Sequence, residues 1–175
     1  IVSPITGEAM EPDVVRRLVK ATKPGERKHI LFPYAGRRPL PEAVLAEAYP
    51  AAFRHLCAVR DKLAARDKGK TDGYPAWFAY GRSQGLHDLT GETDLIIVPA
   101  MVGGNAVPFR YRGEAPLFVS GFAVRAVDDP TGSLLTPAFR EFVMEHGKEK
   151  PGVNDRYHGI SVGLVNAWLA RAEKN

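Results

Sequence analysis

The order in which this chain changes its periodicity limits the folds open to it. Helical spacing dominates the first 70 residues, short β-like runs fill roughly 77 to 127, and helical spacing returns after 134. Helices, then strands, then helices do not make the alternating series that builds a parallel βαβ sheet. They predict an α+β fold, with a mixed or antiparallel curved sheet flanked by helices.

In more detail, Val14, Val15, Leu18 and Val19 recur at helical spacing until Pro24-Gly25, which predicts a helix within residues 1–27. Residues 28–34 read as a short strand and 41–48 as a short helix. Tyr49-Pro50 opens the clearest helix, running to about Asp67 with Gly69 as its stop. Its apolar arc holds Leu56, Cys57, Val59, Leu63 and Ala64. Arg60 and Asp67 fall in the same arc, which predicts a half-buried ion pair. Strand candidates are Trp77 to Tyr80, Leu95 to Val98, Val107 to Tyr111, Leu117 to Val119 and Phe122 to Val127. Apolar residues at 134, 135, 138, 139, 142 and 143 predict a helix, with Thr136-Pro137 as an alternative start; a last helix covers Val162 to Ala172.

A chain of 175 residues that is 45% hydrophobic can bury the core of one domain, or of one domain with an appendage. No apolar run approaches the roughly 18 to 20 residues of a membrane span, so no membrane partner is expected. No signal segment opens the chain, and a single cysteine, Cys57, fits a reducing cytoplasm. One cysteine and five scattered histidines offer no metal-ligand spacing. The opening Ile1-Val2-Ser3-Pro4 reads as mid-protein sequence, from which a longer parent is expected.

Charge is placed unevenly. Arg54, Arg60, Lys62, Arg66, Lys68 and Lys70 face only Asp61 and Asp67, so the window from 54 to 70 carries the entire net charge of +4. Such a stripe is either an electrostatic footprint for phosphates or a solvated helix face. Arg54, His55 and Lys62 lie outside the apolar arc and Arg66 near its edge, where an outside ligand can reach them.

Three constellations carry possible chemistry. Gly81-Arg82-Ser83-Gln84-Gly85 matches the nucleophile elbow of serine hydrolases, with His146 or His158 as base and Asp128 or Asp129 as acid. Leu86 to Gly91 is a poor helix start, however, and the elbow needs one. Pro12-Asp13 with Glu26-Arg27-Lys28 has the outline of a metal-dependent nuclease, although helix capping and surface charge explain the same residues. The third places Arg66-Asp67-Lys68-Gly69-Lys70 before Trp77-Phe78-Ala79-Tyr80-Gly81-Arg82-Ser83-Gln84. Arg82 and Gln84 can each make two hydrogen bonds to a base edge, and the flanking glycines allow close backbone approach to a phosphate at Ser83. Lys62, Arg66, Lys68 and Lys70 suit phosphate oxygens, as do Arg110 and Arg112, which alternate on one face of a strand candidate.

Leu31-Phe32-Pro33-Tyr34, Tyr49-Pro50, Arg66-Asp67-Lys68-Gly69-Lys70, Trp77 through Leu86 and Ile96-Ile97-Val98-Pro99 together resemble the TaqI-like C-terminal specificity domain of adenine-N6 DNA methyltransferases in type II restriction-modification systems. The order and spacing run over residues 28–100; beyond them, Leu134-Leu135 through Phe142 and Arg156-Tyr157-His158-Gly159 resemble the family's closing elements. The resemblance implies a target-recognition domain over 1–175 that docks on double-stranded DNA, with 1–27 as a connecting helix to the methyltransferase domain of the same polypeptide. It also implies that S-adenosylmethionine and the catalytic motif belong to that other domain, with or without a fused endonuclease. No catalytic, cofactor or metal residue is therefore expected here.

Overall fold

A computed structural model of the chain describes residues 1–26, 28–80, 91–103, 106–151 and 156–172. It divides into two compact units, Ile1–Arg17 with His29–Asp88, and Leu18–Lys28 with Leu89–Asn175. The fold is α+β, as the order of periodicities predicts.

The predicted helix near the N-terminus is instead a 3-10 turn, Pro12–Val14, followed by strand β1, Val15–Lys20. Its Val-Val-x-x-Leu-Val pattern suits a helix face, but its valines also favour extended backbone. Tertiary pairing decides the outcome: Leu18, Val19 and Lys20 run parallel to Leu117, Phe118 and Val119. No connecting helix over 1–27 therefore forms among the described residues.

In the first unit, β2 (Lys28–Leu31) and a hairpin of β3 (Tyr34–Ala35) and β4 (Arg38–Pro39) lead into α1 (Glu42–Ala48). The long helix expected from Tyr49 onward is broken into α2 (Pro50–Ala58), α3 (Arg60–Ala64) and a 3-10 turn, Arg66–Gly69. The break falls at β-branched Val59, whose φ of −112° leaves the helical range. Glu11 caps α2 from a distance, its carboxylate accepting from the N–H groups of Ala51 and Ala52 at 2.9 and 3.0 Å. The core gathers Val14, Leu45, Ala52, Leu56 and Phe78. Cys57 and Ala64, placed in the apolar arc from their spacing, are exposed.

In the second unit the elements are β5 (Glu92–Pro99), β6 (Met101–Val102), β7 (Phe109–Glu114), β8 (Leu117–Val119), β9 (Gly121–Arg125), α4 (Pro137–His146), β10 (Lys148–Pro151), β11 (Arg156–Gly159) and α5 (Val162–Ala172). β5 is the centre of an antiparallel sheet in the order β7-β5-β9. Both of its faces are covered. Ile96 and Val98 pack with Leu134, Phe139, Val143 and Val165, while Leu95 and Ile97 pack with Val19, Ala21 and Tyr111. Gly121 is required by this crowding, since a Cβ there would lie 2.3 Å from the Val98 carbonyl oxygen. The Thr136 hydroxyl caps α4 by accepting from Phe139 N at 3.4 Å, so the alternative start at Thr136-Pro137 is the one used. A small sheet, β10-β11-β6, has no counterpart among the strand candidates.

Candidate nucleic-acid interface

The basic stripe ends in an unusual turn. Asp67, Lys68 and Gly69 follow one another at φ 48°, 62° and 79°, a left-handed run in which only glycine is unstrained. The Tyr74 hydroxyl donates to the Asp67 carboxylate and holds the turn from outside. Lys62, Lys68 and Lys70 are all exposed, and among the described residues none has a carboxylate at ion-pair distance. They are compact, mobile point charges of the kind that meet phosphate oxygens without fixed geometry.

Arg66 has a different job. Its Nε donates to the Leu63 carbonyl at 2.8 Å, Nη1 to that of Ala79 at 3.0 Å and Nη2 to that of Trp77 at 3.0 Å. Its guanidinium also lies 5.3 Å from the Tyr74 ring centroid. The expectation of Arg66 as a phosphate contact gives way to one of Arg66 as the clasp that ties the helix end to the following segment. The same clasp explains why Trp77 to Tyr80 is not a strand: two carbonyls go to Arg66, and Tyr80 N–H goes to the Tyr34 hydroxyl at 2.7 Å. Side chains take the hydrogen bonds that a ladder would have used.

Arg60 and Asp67 do not pair with each other. Arg60 lies 4.6 Å from the centroid of the Trp77 ring, a cation–π contact that keeps its charge near solvent. Arg54 is not free, because Nε donates to Glu8 at 2.8 Å; His55 Nδ1 lies 2.7 Å from the Ser3 hydroxyl.

Tyr80 is fixed further by stacking. Its ring lies 5.4 Å from that of Tyr34, at 1° between planes, and Tyr34 stacks on Phe32 at 4.9 Å. The Tyr80 hydroxyl donates to the Leu31 carbonyl. Burial pushes both phenols above their ordinary range, so both remain protonated: Tyr34 accepts from the Tyr80 N–H, and Tyr80 donates. Arg82, Ser83 and Gln84, the base-edge and backbone candidates, lie outside the described residues. Tyr80, the residue before Gly81, is thus anchored by a backbone bond, a hydroxyl bond and a ring stack.

In the second unit, Arg110 and Arg112 do lie on one face of β7, and a partner that spacing did not reveal joins them. Asp94 sits opposite Arg112 on β5. Its carboxylate takes a two-pronged contact from Arg110, at 2.7 and 2.6 Å, and a single one from Arg112 at 3.1 Å. The Arg110 hydrogen bonds, with those of Arg112, hold the Asp94 carboxyl down to about 2. Only register could have disclosed this, since 16 and 18 residues separate the partners.

The residues named for a hydrolase have other duties. Asp129 is buried, and its carboxylate accepts from the N–H groups of Ser133 and Leu134 at 2.8 and 2.9 Å. His146 packs edge-on against Phe142 at 4.5 Å, and His158 Nδ1 is shielded with no hydrogen-bond partner among the described residues. Glu26, from the nuclease-like pattern, pairs with Lys28 at 2.7 Å. Among the described residues no helix is long and apolar enough to cross a membrane. Comparison with protein-family models, curated proteins and solved structures finds no match for this chain.

Proposed function

We propose that this chain is a double-stranded-DNA recognition module, the target-reading part of an adenine-N6 DNA methyltransferase of a type II restriction-modification system. The observation that carries the reading is the group of Lys62, Lys68 and Lys70, exposed and without described carboxylate partners, on a helix end braced by Arg66, Tyr74 and Trp77. The contacts hold the backbone that carries these lysines, while their side chains remain open to meet phosphate oxygens without fixed geometry. Arg110 and Arg112 add a second basic surface, in part neutralised by Asp94. Arg82 and Gln84 remain the base-edge candidates, and Ser83 the close backbone contact. The reading gives this chain no catalytic step; methyl transfer and S-adenosylmethionine belong to the methyltransferase domain of the same polypeptide.

The test is an anisotropy titration of the intact chain against a fluorescent duplex of mixed sequence. Saturable binding that tightens as salt falls is expected, with a non-specific Kd of about 10⁻⁴ to 10⁻⁶ M at physiological salt. Absence of binding at low salt contradicts the reading.

A further inference from the structure

In the sheet order β7-β5-β9, no described strand lies on the outer side of β9. The Ala100 N–H donates to the Ser120 carbonyl at 2.9 Å, and the register with β5 continues from Pro99 opposite Gly121 to Leu95 opposite Arg125. Bonded pairs alternate along an antiparallel ladder, so Ser120, Phe122 and Val124 turn their backbone groups to β5. Gly121, Ala123 and Arg125 turn theirs outward. Among the described residues no backbone hydrogen bond reaches Ala123 or Arg125 from that side. The strand reads Gly-Phe-Ala-Val-Arg, without proline and with one charge at its end, so little in it blunts the edge against a further strand.

This edge forms the floor of a cavity of about 550 Å³ that lies wholly within the second unit. On one face of the sheet its wall is Phe118, beside Ala123; on the other it is Val165 and Leu169 of α5, beside Phe122 and Val124. The backbone between them is half-buried rather than sealed, and a ligand in the cavity reaches it. β9 is about 13 Å long and α5 from Val162 to Leu169 about 10 Å, room for about four residues of extended chain. Walls on both faces admit one extended segment but hold off the edge of a second folded sheet, which brings walls of its own. At the rim, Arg125 is exposed with no described carboxylate at ion-pair distance, and exposed Asp128 lies beside the same cavity. One carboxylate complements Arg125, while Asp128 repels a run of acids. We propose that this groove binds an extended peptide of a partner protein, apolar along its length with one acidic residue, as a strand added to β9. It does so whether or not the chain binds DNA.

The experiment selects binders to the intact chain from a displayed library of random peptides. An apolar consensus with one Asp or Glu is expected, and the synthetic consensus peptide is then titrated by anisotropy. Methylating its amide nitrogens one at a time weakens binding about tenfold at every second position and leaves it unchanged between them, because alternate N–H groups face β9. Arg125→Glu transfers the preference from the acidic residue to lysine at the same position. Ala123→Pro, which removes an outward N–H from an edge strand, weakens binding about tenfold. If Ala123→Pro fails to fold, the methylation series and Arg125→Glu decide. No consensus, loss at all amides or at none, or an unaltered preference in Arg125→Glu overturns the proposal. A wild-type dimer in sedimentation that Ala123→Pro dissociates overturns the peptide in favour of a second copy of the chain.

Discussion

Arg66 Nη2 and the carbonyl oxygen of Trp77 are joined by a 3.0 Å hydrogen bond across 11 residues of chain. With the bonds to Leu63 and Ala79, it makes one guanidinium a donor to three carbonyls, one at the end of α3 and two in the segment from Trp77 to Ala79. Arg66→Ala is expected to lower unfolding stability by about 2 to 3 kcal/mol, since charged hydrogen bonds are lost and partly buried acceptors are left unpaired. Arg66→Lys recovers little of it, because an ammonium cannot span the same fork. Urea unfolding checks both variants; a lysine variant as stable as the wild type would deny the clasp its role.

Much of this architecture was legible in the sequence, and the failures have physical causes. α1 and α5 follow their apolar spacing because each lays one face on a core. Val15–Lys20 fits two periodicities, and only its partner at Leu117–Val119 decides between them. The aromatic run from Trp77 imitates a strand, but Arg66 and Tyr34 consume its backbone groups. β10 begins Lys-Glu-Lys-Pro, with no apolar alternation to announce it. At the candidate interface, charge density pointed to Lys62, Lys68 and Lys70, whereas the duties of Arg66 and Asp94 depend on contacts between segments distant in sequence.

Asp129 illustrates a buried charge retained for a cap. Asp129→Ala leaves the N–H groups of Ser133 and Leu134 without an acceptor, and a loss of about 2 to 4 kcal/mol is expected. Asp129→Asn keeps one acceptor and loses less. Thermal melting of the two variants tests the order; equal stability of alanine variant and wild type would refute the cap.

His55 predicts a pH dependence. Burial lowers its pKa, and the Ser3 hydroxyl beside it already accepts from Ile5 and Thr6 N–H at 3.2 and 3.0 Å. With Ser3 donating to neutral Nδ1, a protonated ring would bring a third donor to an oxygen that already accepts two. The unfolded chain therefore binds the proton more readily, so this stability is present above about pH 6.5 and is lost as pH falls through the folded value. Glu8, Glu11, Glu26 and Asp94, whose pKa values are also lowered, act in a separate window below about pH 4.5. Urea midpoints at pH 7.5 and 5.0 should fall more for the wild type than for His55→Gln; identical shifts would contradict the link.

Asp94 competes with phosphate for Arg110 and Arg112. Asp94→Asn removes one negative charge and loosens both guanidinium groups, so DNA affinity at low salt is expected to rise several-fold. Anisotropy titration reads the change, and unaltered or weaker binding would remove this strand face from the interface.

The most direct test of the account is the salt dependence of DNA binding by the wild type and by the double variant Lys68→Ala, Lys70→Ala. If both lysines neutralise phosphates, the slope of log K against log salt flattens by about 1.8, and affinity falls for every sequence alike. The same slope and the same affinity in both proteins would contradict it.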